Sequence, residues 1–173
     1  MTAVIQMNIF YLSHKPSRCA RWHCDKHVVK MILETAQLLY TAHWVRGSTD
    51  FSSAPLTQKG QRGYKSIRNV KHPSAIWARE TEQQYMWLCM FGLYLCEEYS
   101  HRFGGKIHSC EEHIFWLMIH SPAGLPQGWR QPPQAMPDEY RRSDSIAAYR
   151  AYYVGAKKGL LQYTKRHVPH WVG

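Results

Sequence analysis

The longest helical pattern in the chain runs from Arg21 to Trp44, RWHCDKHVVKMILETAQLLYTAHW. At about 100° per residue, Val29, Ile32, Leu33, Ala36, Leu39 and Tyr40 share one broad face, which predicts that this face joins the core. His23, His27, Lys30, Glu34, Gln37 and Thr41 fall in a polar stripe about 80° wide on the other side, flanked by Met31 and Leu38. A solvated stripe usually fills with Lys, Glu and Gln, which favour helix and keep their rotamer freedom in water. Two imidazoles one turn apart, beside an ammonium and a carboxylate, are less ordinary filler, and the apolar flanks point to a stripe that lines a cleft. Asp25 has two compatible readings: an N-cap accepting from N–H groups near Val28, and a carboxylate presented at the helix mouth for chemistry.

Before this helix, Met7 to Leu12 is apolar and aromatic. It predicts an extended segment leading to a helical turn over Pro16 to Trp22, with Pro16 at the first helical position. Residues 1–6 read as a dispensable extension. After it, Gly47 to Gly63 is rich in Gly, Ser, Thr and Gln, which predicts a mobile surface loop. Loops longer than about 12–15 residues in compact domains are often binding elements or lids, and this one leads into Lys65, Arg68 and Lys71.

Pro73 opens a second long helix reaching about to Tyr99, closed by Gly104-Gly105. Trp87 and Phe91 recur at helical spacing and read as core, whereas Trp77, beside His72 and Arg79, is a candidate for stacking on a base. Ser109-x-x-Glu112 before IFWLMI has the form of a capping box, which assigns Glu111 and Glu112 to a helix start. Five prolines between Ser121 and Arg142 exclude regular helix or central strand there. That long proline-rich loop carries Trp129, Arg130, Asp138, Glu139, Tyr140 and Arg141, and is expected to wall a site. A last helix starts near Ser143 or Asp144 and carries Ile146, Tyr149, Tyr153 and Leu160. The expected fold is mainly α, a single compact helical domain over residues 1–173 without internal repeats.

With 173 residues, 45% hydrophobic and 13% aromatic, the chain has enough apolar surface for one core. No apolar run reaches the roughly 18 residues of a membrane span, and the N-terminus lacks the basic region of a signal peptide. The expectation is a cytoplasmic protein, a monomer, with no membrane partner. Five cysteines without a C-x-x-C spacing read as reduced thiols and offer no zinc site. Twenty-two Lys and Arg against twelve Asp and Glu give a net charge of +10. A field of that sign attracts polyanions, of which nucleic acid is the commonest for a compact basic domain. The candidate nucleic-acid contacts are Lys65, Arg68, Lys71, His72, Trp77, Arg79, Trp129, Arg130, Tyr140 and Arg141.

No glycine-rich phosphate loop and no G-x-S-x-G is present. One chemistry that suits the remaining inventory is N-glycosidic cleavage of a base in DNA. The nucleotide is extruded, its base stacks on aromatic groups, and basic side chains hold the phosphates. A carboxylate then stabilises the oxocarbenium-like sugar or activates water, while a histidine or lysine assists the leaving base. Asp25 and Asp138 are the first carboxylate candidates, because neither is consumed by a capping box. His23, His27, Lys30 and Glu34 complete the catalytic set, and no cofactor is required. A second chemistry is a metal held by His23 and His27 with Glu34, although H-x-x-x-H is a weak motif in a chain with eleven histidines. A non-catalytic nucleic-acid-binding module is the third reading.

The stretches HCDKHVVKMILETAQLL, HPSAIWARE and PPQAMPDEYRR with AYRAYY resemble a set of small proteins of phages and related loci, over nearly all of the chain from Met7 onward. The chain is also similar to phage-defence DNA glycosylases that excise glucosylated hydroxymethylcytosine and leave abasic sites. That resemblance implies a helical, DNA-glycosylase-like fold and a bulky modified pyrimidine in double-stranded phage DNA as substrate. It carries no residue role to this chain.

Overall fold

The helix signals resolve into six α-helices in the computed structural model, which describes residues 7–173. They are α1 Pro16–Arg21, α2 Asp25–Arg46, α3 Pro73–Ala78, α4 Glu82–Arg102, α5 Glu111–Ile119 and α6 Ser145–Ala156. Single 3-10 turns lie at Asp138–Tyr140 and Lys158–Leu160. Among the described residues there is no named strand, only an isolated antiparallel bridge between Leu56 and Arg62. The mainly α expectation holds, while the extension at residues 1–6 lies outside the described residues.

Helix α4 is the hub, packing against α1, α2, α3 and α5. Its apolar residues surround most of the helix, and Tyr85, Leu88, Cys89, Phe91, Leu95 and Cys96 are all buried, the pattern of a helix enclosed by others. Gly92 makes the close approach possible: a Cβ there would lie 3.0 Å from both Thr35 of α2 and Ile114 of α5. The segment Ile9–Leu12 runs irregularly through the core and is fully buried. Phe10 stacks on His27, and Tyr149, Tyr152 and Tyr153 of α6 close around it.

Several boundaries differ from the sequence pattern. Arg21–Trp44 is two helices, because the chain turns extended at Cys24, which occupies the N-cap position of α2. Asp25 is therefore the first helical residue and does not cap. Likewise Pro73–Tyr99 divides at Arg79–Thr81, where the Thr81 side chain accepts from the Gln84 N–H and starts α4 afresh. Ser109 caps nothing: Cys110 takes the N-cap position of α5, and its N–H is accepted by His108 Nδ1 at 3.0 Å. Val29 and Leu33, expected in the core, are 42% and 38% exposed. Burial on α2 is rotated toward Val28, Met31 and Leu38, since α3, α4 and α5 all meet this helix.

One charge network ties distant segments together. The Arg102 guanidinium, 2% exposed, donates to the carbonyls of Arg21 and His23, each at 2.8 Å, and to Asp25 and Glu98, each at 3.1 Å. Glu98 also receives Arg166 at 2.7 Å. Burial pushes the Glu98 carboxyl up, but the hydrogen bonds and charges of Arg166 and Arg102 outweigh it and leave it below the ordinary value. Asp25 accepts from the backbone N–H of Thr164 at 2.9 Å and from its hydroxyl at 2.6 Å.

Candidate active site

A cleft of about 820 Å³ opens along α2. Lys30, Glu34 and Gln37 form one wall together with the exposed edges of Val29 and Leu33, and the segment around residues 57–67 forms the other. Its first part, up to Gly63, belongs to the stretch expected to be a mobile loop, and the residues that follow tie the segment to α2. Thr41 Oγ1 accepts from the Ile67 N–H at 3.1 Å, and the Trp44 indole donates to the Tyr64 carbonyl at 3.0 Å. Thr57 donates its N–H to Gln61 at 2.8 Å, closing a tight turn whose Gly60 has φ of +77°. Gly63, at φ +74°, sits where a Cβ would come within 2.6 Å of the Tyr40 ring. Glycine alone satisfies both the backbone and the contact.

Glu34 is 8% exposed at the wall of this cleft. Burial raises its carboxyl above the ordinary value, and the Lys30 ammonium, 3.6 Å from Oε1, offsets only part of that rise. A carboxyl held this way keeps its proton more readily than one in water. It can donate that proton to a leaving group and then remain as a carboxylate beside a developing positive charge.

The imidazoles of the same polar stripe lie elsewhere. His23 is fully buried, its Nδ1 donates to the Cys19 carbonyl at 2.7 Å, and its Nε2 has no partner. His27 Nδ1 lies 2.6 Å from the Tyr153 hydroxyl under the stacked Phe10 ring, centroids 4.4 Å apart. Burial is the main force pushing His23 down to about 3 and His27 down to about 4; the neighbouring His27 and Arg102 push His23 the same way, as Lys157 and Lys30 do His27, and only the Cys19 carbonyl pulls His23 back up. Both are neutral in the folded protein at pH 7. Among the described residues no three His, Cys, Asp or Glu side chains converge as a metal-binding group, so the structure does not assemble His23, His27 and Glu34 into a donor set.

The two aspartates stand apart from the cleft. Asp25 is occupied by Arg102 and Thr164. The Asp138 side chain is 97% exposed, with only Arg141 at 3.4 Å. The turn that carries it packs on α6, with Tyr140 against Tyr152, so the wall facing α2 is the 57–67 segment and not the proline-rich loop. Trp77, expected to stack on a base, is fully buried, and its indole donates to the Arg130 carbonyl at 2.9 Å; α3 turns that face inward.

Of the other nucleic-acid candidates, Lys65 lines the cleft, and Arg68 and Lys71 continue exposed along the same segment. His72 caps α3 by accepting from the Ser74 N–H. Arg79 is partly buried, with Nη1 unpartnered and its guanidinium pushed down by burial. Arg130 is held by both oxygens of Glu80. Trp129 lies over Tyr11, His14, Trp77 and Trp87, partly exposed, and Arg141 is exposed beside Asp138. Sequence reasoning missed Tyr64, Thr57 and Lys59 as cleft residues. The turn signal Gln58-Lys59-Gly60, followed by Gly63, marks the fold-back that brings them there.

No helix of the described residues is long and apolar enough to cross a membrane. Comparison with family models, with curated proteins and with solved structures finds no match to this chain.

Proposed function

We propose that the protein hydrolyses the N-glycosidic bond of a base in DNA, with the extruded nucleotide lodged in the α2 cleft. The observation that carries this reading is Glu34: a carboxyl with a raised proton affinity, beside an ammonium, at the wall of a cavity on a chain of net charge +10. The cavity volume falls within the range of about 300–1,000 Å³ usual for ligand sites, and Tyr64 and the Val29–Leu33 edge supply apolar walls for a base.

In this mechanism Glu34 gives its proton to the departing base as the C1′–N bond breaks. The resulting carboxylate stabilises the oxocarbenium-like sugar. Water then forms the new C1′–O bond and returns a proton to Glu34, leaving an abasic site and a neutral base. Lys30 lies 3.6 Å from the carboxyl and tempers the rise that burial causes. Asp25 acts at a distance, fixing the start of α2. The resemblance adds the substrate class, a bulky modified pyrimidine of phage DNA.

The test incubates the purified protein with unmodified DNA and with hypermodified phage DNA and probes for abasic sites. Release from the modified DNA, lost in Glu34→Gln, is the expected result. Undiminished release by Glu34→Gln would remove Glu34 from the chemistry.

A further inference from the structure

From Phe51 to Arg79 the chain contains no Asp or Glu, between Asp50 on one side and Glu80 on the other. Within that stretch basic residues stand at every third position, Lys59, Arg62, Lys65, Arg68 and Lys71. The segment is irregular, so this period is not the face of a helix. Lys59, Lys65, Arg68 and Lys71 are exposed, and none takes part in an ion pair among the described residues. Arg62 differs, because its guanidinium donates to the Ala54 carbonyl at 2.9 Å and braces the turn.

Elsewhere several arginines are spent on carboxylates: buried Arg102 on Asp25 and Glu98, half-buried Arg166 on Glu98, and exposed Arg130 on Glu80. The strip from Lys59 to Lys71 is thus a run of uncompensated positive charge fixed to a wall that is itself anchored on α2. Charges left without internal partners on an ordered segment attract an external polyanion and release its condensed counterions on contact.

We propose that residues 59–71 form a phosphate track for one DNA strand. Lys59 and Lys65 hold the phosphates at the cleft rim, and Arg68 and Lys71 follow the same strand away from it. The identity of what enters the cleft rests on the base-excision reading; the track itself does not. A nucleic-acid backbone fits better than a lipid surface, because Lys59 and Lys65 border a concave opening that a planar bilayer cannot enter, and the strip lacks the amphipathic helix that membrane-surface binding commonly uses. The contacts are to phosphates, so they are independent of base sequence.

The experiment measures affinity for a short unmodified DNA duplex across a salt series. It compares the parent, the single variants Lys59→Gln, Lys65→Gln, Arg68→Gln and Lys71→Gln, the combined fourfold variant, and the control Lys158→Gln outside the strip. Each neutralised contact is expected to reduce the steepness of log affinity against log salt by about 0.9, and the fourfold variant by about 3.6. The control keeps the parental slope. Circular dichroism checks the fold, and the single variants carry the test if the fourfold variant is unstable.

A parental slope in the folded fourfold variant overturns the track. So does strip-dependent binding to phosphatidylserine vesicles by a parent that ignores DNA. Loss of slope in a protein that releases no base from any DNA supports the track and removes the excision reading, which keeps the two separable.

Discussion

The two ends of the α2 polar stripe meet opposite fates on one helix. At the Asp25 end, His27 is sealed beneath Phe10 and Tyr153 with His23 beside it; one turn on, Lys30 and Glu34 face an open cleft. Burial drives both ends toward neutrality, lowering the imidazoles and raising the carboxyl. Only the second is reachable by a substrate. Polar identity alone therefore does not mark a site; what packs over each side chain decides.

The largest effect is expected at the anchor of the sealed end. Arg102→Ala leaves Asp25 and Glu98 without their buried partner and should lower stability by about 3–5 kcal/mol, read from the urea midpoint. A variant as stable as the parent would show that this end is held by packing alone. At the open end, Glu34→Gln should cut base release by about 10²–10⁴-fold while leaving the urea midpoint near the parent's. The opposite outcome, a large stability loss with activity intact, would make Glu34 a structural residue like its neighbours.

Acidification separates the ends by sign. His23 and His27 titrate at about 3 and about 4 when folded, against 6.5 ordinarily. Below pH 6.5 the unfolded chain binds the extra protons, so stability present above that pH is lost as it falls toward 4, by about 1.4 kcal/mol per pH unit for each histidine. Glu34 works the other way. Its folded carboxyl is raised above the ordinary 4.5, so its contribution is fully present below pH 4.5 and is lost as pH rises through the folded value. Denaturation midpoints of His27→Gln across pH should show a shallower acid slope than the parent, and an unchanged slope would mean that the sealed end admits protons freely. The smallest effect is at the cleft edge: Leu33→Ala should cost under about 1 kcal/mol, compared with about 2–5 kcal/mol for fully buried Leu39→Ala.

Signals confined to a few neighbouring residues were legible in the sequence. Pro16 opens α1, Asp144 caps α6 by accepting from the Ala147 N–H, and Gly104-Gly105 follows the end of α4. The Lys30–Glu34 part of the stripe was legible too, as polar groups with apolar flanks. The division of the stripe was not, because His27 is covered by a tyrosine 126 residues away. Asp25 looked free for the same reason, its partners Arg102 and Thr164 lying far along the chain. Trp77 was misplaced because one helix was expected to run through Arg79–Thr81, although the polar run Arg79–Gln84 and the capping-box signature of Thr81-Glu82-Gln83-Gln84 mark the break.

The Arg102 network also has a consequence for synthesis. Its carboxylates await Thr164 and Arg166, which leave the ribosome after every group they bind. Until those residues emerge, the nascent protein holds its helices around a half-satisfied cluster at the α1–α2 junction. The final lock thus closes late, and a chain interrupted before Thr164 lacks the groups that complete this cluster.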